Sequence, residues 1–344
     1  MRILFARPGP FPPELYAGTE LTLHGLCRKL VANGHEVTLA AQSKLMKGEA
    51  AIVGDKLGYP VTRATSILKA MHAAMANFRP DVVVITETGA WLDATRPIVG
   101  KIPLVIYEHE VAVAVGGIPA DIKSRAVFVA NSAATAENIR KLCDVEVTIV
   151  RPLFGVDRYA HIKPSGNSVL FVSLQRRKGS DVAIRLAENR PRVPFIFVES
   201  WTETPERTDF LRNYVRKIPN VTLLPNQPTL DSVLPKIKLH LMPSRSQEAW
   251  GRTATEAQIC GIPVLGSSRG NLPTTIGPGG VTLDPEEPIE RWLEAFDRIM
   301  GDSAYYEELS RKARAHGRAK IDELNHAYQA FEAALGQAQA RGRA

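Results

Sequence analysis

The chain contains 344 residues, of which 44% are hydrophobic and 23% charged, and its formal net charge is +7. This length allows two domains that each bury a core, and no apolar run approaches the roughly 18 residues that a membrane span requires. The N-terminal residues lack the apolar core of a secretory signal, so we expect a cytoplasmic protein. The basic residues are scattered and no nucleic-acid-binding motif is present, which leaves anionic small molecules or an anionic membrane surface as expected partners, with no nucleic acid.

Short β-branched runs alternate with amphipathic stretches through the first half of the chain, which is typical of a parallel α/β sheet. An amphipathic helix is predicted from Thr19 to Asn33, and Gly34 ends it. These elements predict a Rossmann-like domain over residues 1–153. Its predicted strands are Arg2–Ala6, Glu36–Ala40, Asp81–Thr86, Pro103–Tyr107, Ala126–Ala130 and Glu146–Val150.

A second α/β array follows a segment, residues 154–166, that has no periodicity and contains glycine and proline. This composition predicts a linker, and residues 167–302 are predicted to form a second Rossmann-like domain. Residues 303–344 are predicted to form Ala-rich helices. The predicted strands of the second domain are Ser168–Val172, Phe195–Val198, Val221–Leu224, Ile237–Met242, Val264–Leu265 and Gly280–Leu283.

The junction between the strand ending at Met242 and a helix predicted from Gly251 to Cys260 is suited to an anion. The first turn of such a helix, here Arg252 and Thr253, offers unpaired N–H groups and the positive end of the helix dipole. A glycine at position 251 would let a phosphate approach the backbone. We therefore predict a phosphate site at this junction.

Two carboxylates, Glu248 and Glu256, bracket the same junction. They would repel phosphates, so neutral hydroxyls are their expected partners: a sugar for Glu248 and a ribose for Glu256. Both side chains are expected to act as hydrogen-bond acceptors rather than bases.

The spacing of these two glutamates, continuing into Gly261-Ile262-Pro263-Val264, resembles the signature of the retaining GT-B glycosyltransferases of family 4, the glycosyl transferases group 1. Ala17-Gly18-Thr19-Glu20 is similar to the first glycine loop of that family, and Lys178-Gly179 to its phosphate lysine. The resemblance extends over nearly the whole chain. It implies two facing Rossmann-like domains, the second of which binds the nucleotide sugar, and a C-terminal helix that crosses back to the first.

The resemblance also implies roles for single residues around the donor phosphates. Lys178 would contact the diphosphate and Gly18 would face it. The family's assisting arginine is replaced by Ser173, so Arg176 or Arg177 is expected to supply the second cation.

Two further residues follow predicted strands at the end where ligand sites of α/β sheets occur. The resemblance implies that His109 points at the reacting sugar, where it would orient and polarise it, and its neighbours Glu108 and Glu110 are expected to raise its pKa. Glu199 is a candidate contact of the base or ribose of the donor.

These interpretations predict the transfer of a hexosyl unit from a nucleoside diphosphate sugar, of UDP or GDP type, to an unidentified hydroxyl in polysaccharide or glycoconjugate synthesis at the cell envelope. No cofactor or metal is expected, because Lys178 and the Gly251 helix end would stabilise the leaving diphosphate, and because Cys27, Cys143 and Cys260 are far apart and suit core thiols. A nucleotide-sugar epimerase and a non-catalytic nucleotide-sugar-binding protein remain alternatives. The basic stretch from residue 311 to 320 is either a solvated face or a peripheral contact with anionic lipid.

Overall fold

The computed structural model describes residues 1–47, 52–54, 56–89, 91–111, 118–155, 157–200 and 205–343. The chain forms two compact units. The first comprises Met1–Phe154 together with Leu324–Ala344, and the second comprises Gly155–Glu323. Each unit is a parallel α/β fold, which confirms the predicted fold class.

The first unit contains an eight-stranded sheet, counted over the described residues, with the strand order β3-β4-β2-β1-β5-β6-β7-β8. All neighbouring strands are parallel except the β3–β4 pair. The strands are β1 (Arg2–Arg7), β2 (Glu36–Gln42), β3 (Ile52–Gly54), β4 (Val61–Ala64), β5 (Val82–Thr86), β6 (Leu104–Glu108), β7 (Ala126–Ala130) and β8 (Val147–Ile149). The helices that follow in the first part of the chain are α1 (Gly18–Ala32), α2 (Ile67–Asn77), α3 (Trp91–Val99), α4 (Ala120–Arg125) and α5 (Ala133–Cys143).

The second unit contains a six-stranded parallel sheet, again over the described residues, with the order β11-β10-β9-β12-β13-β14. Its strands are β9 (Ser168–Val172), β10 (Phe195–Val198), β11 (Val221–Leu224), β12 (Ile237–Met242), β13 (Val264–Ser267) and β14 (Gly280–Leu283). The remaining α-helices among the described residues are α6 (Asp157–Ala160), α7 (Ser180–Asn189), α8 (Pro205–Val215), α9 (Arg252–Ile259), α10 (Leu272–Ile276), α11 (Ile289–Gly301), α12 (Ser303–Asn325) and α13 (Ala327–Arg343).

Helices cover both faces of the first sheet, because alternate residues of each strand point to opposite sides. In β1, Ile3 and Phe5 belong to one buried cluster with residues of α1 and α13. Leu4 and Ala6 belong to a second cluster with residues of α2, α3 and α5. Strands that are buried on both sides read as continuous apolar runs, which is why the sequence reveals them.

The C-terminal helix α13 packs on the first sheet, as predicted. Its Phe331 is fully buried and stacks on Phe5, with ring centroids 6.1 Å apart, and it packs at a tilt against Tyr107, with centroids 5.7 Å apart. Near its end, Arg341 donates a hydrogen bond of 2.6 Å to the carbonyl oxygen of Ala126. Within the described residues, no helix combines the length and the apolar character needed to cross a bilayer.

The boundaries of the units differ from the predicted ones at two places. The return to the first unit begins at Leu324 rather than at residue 303, because α12 packs against the end of α9: a Cβ on Gly317 would lie 2.4 Å from the backbone nitrogen of Ile259. The predicted linker, residues 154–166, falls almost wholly in the second unit. There the thiol of Cys260 donates to the carbonyl oxygen of Tyr159 in α6.

Candidate functional site

Lys178 and Glu248 meet at the carboxyl edge of the second sheet. β9 and β12 are neighbours in the sheet, so the loops that follow them lie side by side. Lys178 Nζ lies 2.5 Å from Glu248 Oε1, and the hydroxyl of Ser244 donates to the same oxygen at 2.7 Å. The Glu248 side chain is 10% exposed and that of Lys178 30%. The two residues predicted from separate motifs therefore form one ion pair with an accessible edge.

Glu248 is ionised near neutral pH. Burial alone would raise the pKa of its carboxyl, but the charge of Lys178 and the hydrogen bonds from Lys178 and Ser244 outweigh burial and lower that pKa below its usual value. The ionised carboxylate can accept hydrogen bonds and is a poor base. Its predicted contact with a sugar hydroxyl stays a prediction.

Two glycines in left-handed conformation shape the loops around this pair. A Cβ on Gly179, where φ is +81°, would lie 2.0 Å from the carbonyl oxygen of Pro243. A Cβ on Gly251, where φ is +82°, would lie 2.7 Å from Leu272 Cδ2. Backbone conformation thus favours glycine at both positions, and close packing against backbone also requires it at Gly179, reasons that add to the predicted approach of a phosphate.

The hydroxyl of Thr253, in the first turn of α9, is bound within the protein. His240 Nδ1 lies 3.2 Å from the carbonyl oxygen of Leu170, and His240 Nε2 lies 2.9 Å from Thr253 Oγ1. A carbonyl only accepts, so Nδ1 carries the proton and Nε2 accepts the hydroxyl proton of Thr253. Burial lowers the pKa of His240 to about 4, which keeps the ring neutral. Thr253 can therefore offer an anion its backbone N–H but not its hydroxyl proton.

Glu256 is fully buried one turn further along α9. Burial raises its pKa above the usual value, and the charge of Arg252 and a hydrogen bond from Tyr159 offset this only in part. Arg252 Nε lies 3.2 Å from Glu256 Oε1. The predicted contact of Glu256 with a ribose stays a prediction, and it would have to reach a carboxyl group that is closed to solvent.

The predicted cations beside Lys178 lie on an exposed 3-10 turn, Arg176–Lys178. Arg177 Nε donates to Gln175 Oε1 at 2.7 Å, and the Arg177 carbonyl oxygen accepts from the backbone nitrogens of residues 245 and 246. The turn is thereby tied to the loop that carries Glu248. Arg176 of the same turn is exposed.

Glu199 is engaged by a neighbouring helix. Both of its carboxylate oxygens accept from Arg212 of α8 at 2.6 Å. Its predicted contact with the donor stays a prediction, and that contact would compete with a bidentate ion pair.

Besides Arg177, a second arginine fixes the loop that carries Glu248, and the sequence did not predict its role. Arg245 donates to Asp181 Oδ2 and to Glu286 Oε1, each at 2.6 Å. It thereby ties the Glu248 loop to the start of α7 and to the segment after β14. The sequence shows an arginine at this position but not its two partners, which come from other elements of the unit.

In the first unit, Gly18 begins α1 and is exposed. A Cβ on Gly18 would meet no atom within 4 Å, so packing does not demand glycine here. The preceding residue, Ala17, is the N-cap and makes no side-chain hydrogen bond to the helix. The first turn of α1 therefore lacks a side-chain cap and suits the predicted role of facing a phosphate.

A buried charge cluster that the sequence did not reveal lies next to Gly18. Arg7, at the end of β1, pairs with Glu20 of α1 at 2.7 Å and with Glu87, which follows β5 and has a φ of +63°. Burial alone would lower the pKa of Arg7, but the charges of the two glutamates raise it above its usual value. The cluster fixes three segments at the carboxyl edge of the first sheet.

His109 lies at the same edge, after β6, and is 5% exposed. Its ring centroid is 4.0 Å from that of Tyr107. The expectation that Glu108 and Glu110 raise its pKa is wrong: burial and the charge of Arg7 lower the pKa of His109 to about 3. Burial also raises the pKa of Glu108 to about 7, although its carboxylate accepts from the backbone of Thr88. His109 is thus a neutral imidazole, as an orienting role requires.

Two family models match the chain, and together they account for both units. The model for Glycosyltransferase Family 4 matches residues 16–154, and the model for Glycosyl transferases group 1 matches residues 160–316. The chain belongs to the family 4 glycosyltransferases. Gly18 and His109 lie within the first match, and Lys178, Glu248 and Glu256 lie within the second.

Relatives of known name agree with this membership. The chain is 32% identical to the D-inositol 3-phosphate glycosyltransferase of Mycobacterium leprae over 164 residues, which is 45% of this chain and 37% of that protein. The matched part therefore spans well under half the length of this relative. A similar match, 26% identical over 167 residues and covering 45% of this chain and 40% of the relative, is found with the Paenarthrobacter aurescens protein of the same name.

Solved structures confirm the GT-B fold of this family 4 member. Anabaena Alr3699/HepE in complex with UDP-glucose superposes with a TM-score of 0.76 at 18% identity, covering 97% of this chain and 99% of that chain. Sucrose-phosphate synthase from Thermosynechococcus elongatus superposes with a TM-score of 0.74 at 15% identity, covering 96% and 99%. At sequence identities this low, the similarity shows a shared fold alone.

In this family 4 member, Cys27, Cys143 and Cys260 are buried and form no disulfide, as the sequence predicts. Among the side chains that the structure describes, no three His, Cys, Asp or Glu residues are grouped closely enough to hold a metal ion. Metal independence itself stays a prediction.

Proposed function

We propose that this chain transfers a hexosyl unit from a nucleoside diphosphate sugar to a hydroxyl acceptor, with retention of anomeric configuration and without a metal. The observation that carries the proposal is the ion pair of Lys178 and Glu248 beside the N-terminus of α9, in a member of a glycosyltransferase family. This arrangement offers a cation and backbone N–H groups to a diphosphate. It also offers a carboxylate to a sugar hydroxyl. A UDP sugar is the first candidate donor, since the similar HepE structure was solved with UDP-glucose, and a GDP sugar is the second.

In this reaction the bond between the anomeric carbon and the diphosphate oxygen breaks, and a bond from the acceptor oxygen to the same carbon forms. Negative charge develops on the departing diphosphate, where the Lys178 ammonium and the α9 N–H groups would stabilise it. A base with a pKa of about 3, as at His109, removes protons poorly near neutral pH. We therefore assign the acceptor proton to the departing diphosphate, and assign His109 to orienting the sugar.

The first test is the fate of the donor. Incubation with UDP-glucose or a GDP hexose and a panel of hydroxyl acceptors, followed by NMR of the anomeric proton, should yield a glycoside with the donor's configuration. D-inositol 3-phosphate belongs in the panel because the mycobacterial relatives are named for it. An inverted product would contradict retention, an epimerised donor would support the epimerase, and donor that is bound but unchanged would support a binding protein.

The second test is the Glu248→Gln variant. Loss of the negative charge on this hydrogen-bond acceptor should lower kcat at least about 100-fold. A hydrogen bond to a charged group that becomes stronger in the transition state contributes on the order of 3 kcal/mol. The Kd for UDP or GDP should change less than about threefold. Glu287→Gln, an exposed glutamate of the same unit, is the matched control and should behave as the unmodified protein. Equal activity of both variants would remove Glu248 from the site.

A cytoplasmic location at the inner face of the membrane, and a role in cell-envelope polysaccharide or glycoconjugate synthesis, are part of the proposal. Their support is an open groove of about 440 Å3 on α12 that is lined by Arg311, Arg314 and Arg318. Such a row of arginines is suited to anionic headgroups. In co-sedimentation with vesicles containing phosphatidylglycerol, binding should fall at least about fivefold in the R311E/R318E variant. The R185E/R192E variant, which alters two exposed arginines elsewhere in the unit, has the same net charge and should still bind; equal loss in both would assign binding to overall charge.

A further inference from the structure

Lys320 is a buried ammonium near the end of α12. Its side chain is 6% exposed, and its Nζ lies 3.8 Å from the carboxylate of Glu323. Nζ also lies 5.4 Å from the centroid of the Trp250 ring. Lysine is seldom buried to this extent unless its charge is compensated, and the face of an indole ring is a favourable partner for an ammonium.

Trp250 belongs to the donor loop, which we define as residues 244–251. It lies between Glu248 and Gly251, the residue that caps α9, and it is 5% exposed. Its ring is thus a buried side chain within the segment that joins the carboxylate to the phosphate-binding helix end.

The backbone of the donor loop is held by α10. The backbone nitrogen of Asn271 donates to the carbonyl oxygen of Glu248 at 2.7 Å. The hydroxyl of Thr275 donates to the carbonyl oxygen of Trp250, and the Asn271 side chain donates to the Thr275 hydroxyl at 3.0 Å. Two main-chain carbonyls of the loop are fixed in this way, while the Trp250 ring faces Lys320.

Lys320 projects from a helix that is closely packed on the same unit. One turn before it, Gly317 packs so tightly that a Cβ would come within 2.4 Å of the backbone nitrogen of Ile259 in α9. His316 Nε2 lies 3.0 Å from the carbonyl oxygen of Thr275. The α12 helix therefore contacts both helices that flank the donor loop, and Lys320 has little freedom to move away from Trp250.

We propose that Lys320 is a positioning residue for the donor loop: its ammonium holds the Trp250 ring and, through it, the placement of Glu248 and of the N-terminus of α9. The inference rests on the proposed function, since it takes the donor loop as the site of the diphosphate. It extends that function to the last residue of the basic stretch 311–320, which is buried rather than solvated and lies outside the glycosyltransferase motifs, four positions before the chain re-enters the first unit at Leu324.

The test compares Lys320→Met, which keeps the length and removes the charge, with Lys320→Arg, which keeps the charge. Lys312→Met is the matched control, because Lys312 is exposed on the same helix and pairs with Glu308. Titration with UDP and with GDP should give a Kd at least about tenfold higher in Lys320→Met, and the KM for the donor sugar should rise in parallel. Lys320→Arg should stay within about threefold of the unmodified protein, and Lys312→Met should not change.

A double-mutant cycle with Trp250→Phe separates positioning from general destabilisation. If Lys320 acts through the Trp250 ring, Lys320→Met should have a clearly smaller effect on the nucleotide Kd in the Trp250→Phe background. The same effect in both backgrounds, or an unchanged Kd in Lys320→Met, would overturn the proposal. Should Lys320→Met fail to fold by circular dichroism, Lys320→Gln replaces it in the cycle.

A spectroscopic measurement distinguishes this inference from the proposed function. The fluorescence of Trp250 is obtained as the difference between each protein and its Trp250→Phe counterpart. Without any ligand, acrylamide should quench this fluorescence more strongly in Lys320→Met than in the unmodified protein. Increased quenching in a protein that binds nucleotide but transfers no sugar would leave the positioning role standing and reject the transferase. Normal sugar transfer, with unaltered quenching and an unaltered nucleotide Kd in Lys320→Met, would reject the positioning role and leave the transferase proposal standing.

Discussion

His109 is flanked by two glutamates in the sequence, yet its pKa is lowered to about 3 rather than raised. Adjacent residues on a strand end point in different directions, so Glu108 directs its carboxylate to the backbone of Thr88. The imidazole is buried beside the Tyr107 ring and lies within reach of the Arg7 charge. Burial and a spatial neighbour therefore decide the charge state, and neither is visible from sequence adjacency.

This pKa predicts how stability depends on pH. The unfolded histidine binds a proton below about 6.5 and the folded one only below about 3, so the free energy of unfolding should fall as the pH drops through that window, by up to about 1.4 kcal/mol per pH unit. His109→Gln should lose this part of the acid sensitivity. Urea unfolding at pH 7 and pH 4.5 should therefore show a smaller difference for the variant than for the unmodified protein. His161→Gln, an exposed histidine, should retain the full difference, and parallel curves for all three proteins would contradict a buried neutral His109.

At the scale of helices and strands, α13 completes the core of a unit whose other elements lie at the opposite end of the chain. Phe331→Ala should cost about 3–5 kcal/mol of unfolding free energy, because it removes a fully buried aromatic ring that stacks on Phe5 and packs against Tyr107. Hydrogen exchange should place the loss in the first unit. Gln337→Ala, at an exposed position of α13, should change stability by less than about 0.5 kcal/mol. A loss below about 1 kcal/mol, or one spread over both units, would mean that α13 is not part of this core.

The sequence predicts the strands that are buried on both faces, because their apolar runs are continuous. It does not predict β3 and β4, since β3 has three residues at the sheet edge and β4 contains Arg63. Helix boundaries such as those of α1 and α9 are predicted to within one residue by their glycines.

The sequence identifies the single residues of the candidate site but not the contacts between their side chains. Lys178 and Glu248 are recognisable from two motifs, yet their ion pair depends on β9 and β12 being neighbours, which is a matter of strand order. The same holds for Arg7, which lies on β1 and meets Glu20 and Glu87 from two other elements. Long-range partners of this kind carry no local pattern.

For the whole molecule, the expected effect of the donor is stabilisation by mass action. UDP or GDP at about 100 times its Kd should add about 2.7 kcal/mol to the unfolding free energy, which raises the Tm of a unit of this size by several degrees. The rise should persist in excess EDTA, because Lys178 and the α9 N–H groups are proposed to hold the diphosphate. Lys178→Met should abolish most of it, whereas Lys236→Met, which alters an exposed lysine of the same unit, should not. A shift that needs added Mg2+ would contradict metal independence.

The division of the first unit between residues 1–154 and 324–343 also bears on how the chain is made. Synthesis runs from the N-terminus, and domains generally fold as units while the ribosome moves along at about 5–20 residues per second. Here every element of the continuous unit, Gly155–Glu323, is translated before α13. The first sheet must therefore wait for α13 with the surface that will receive Phe331 uncovered, so the unit that the gene begins first is the last one to be fully synthesised.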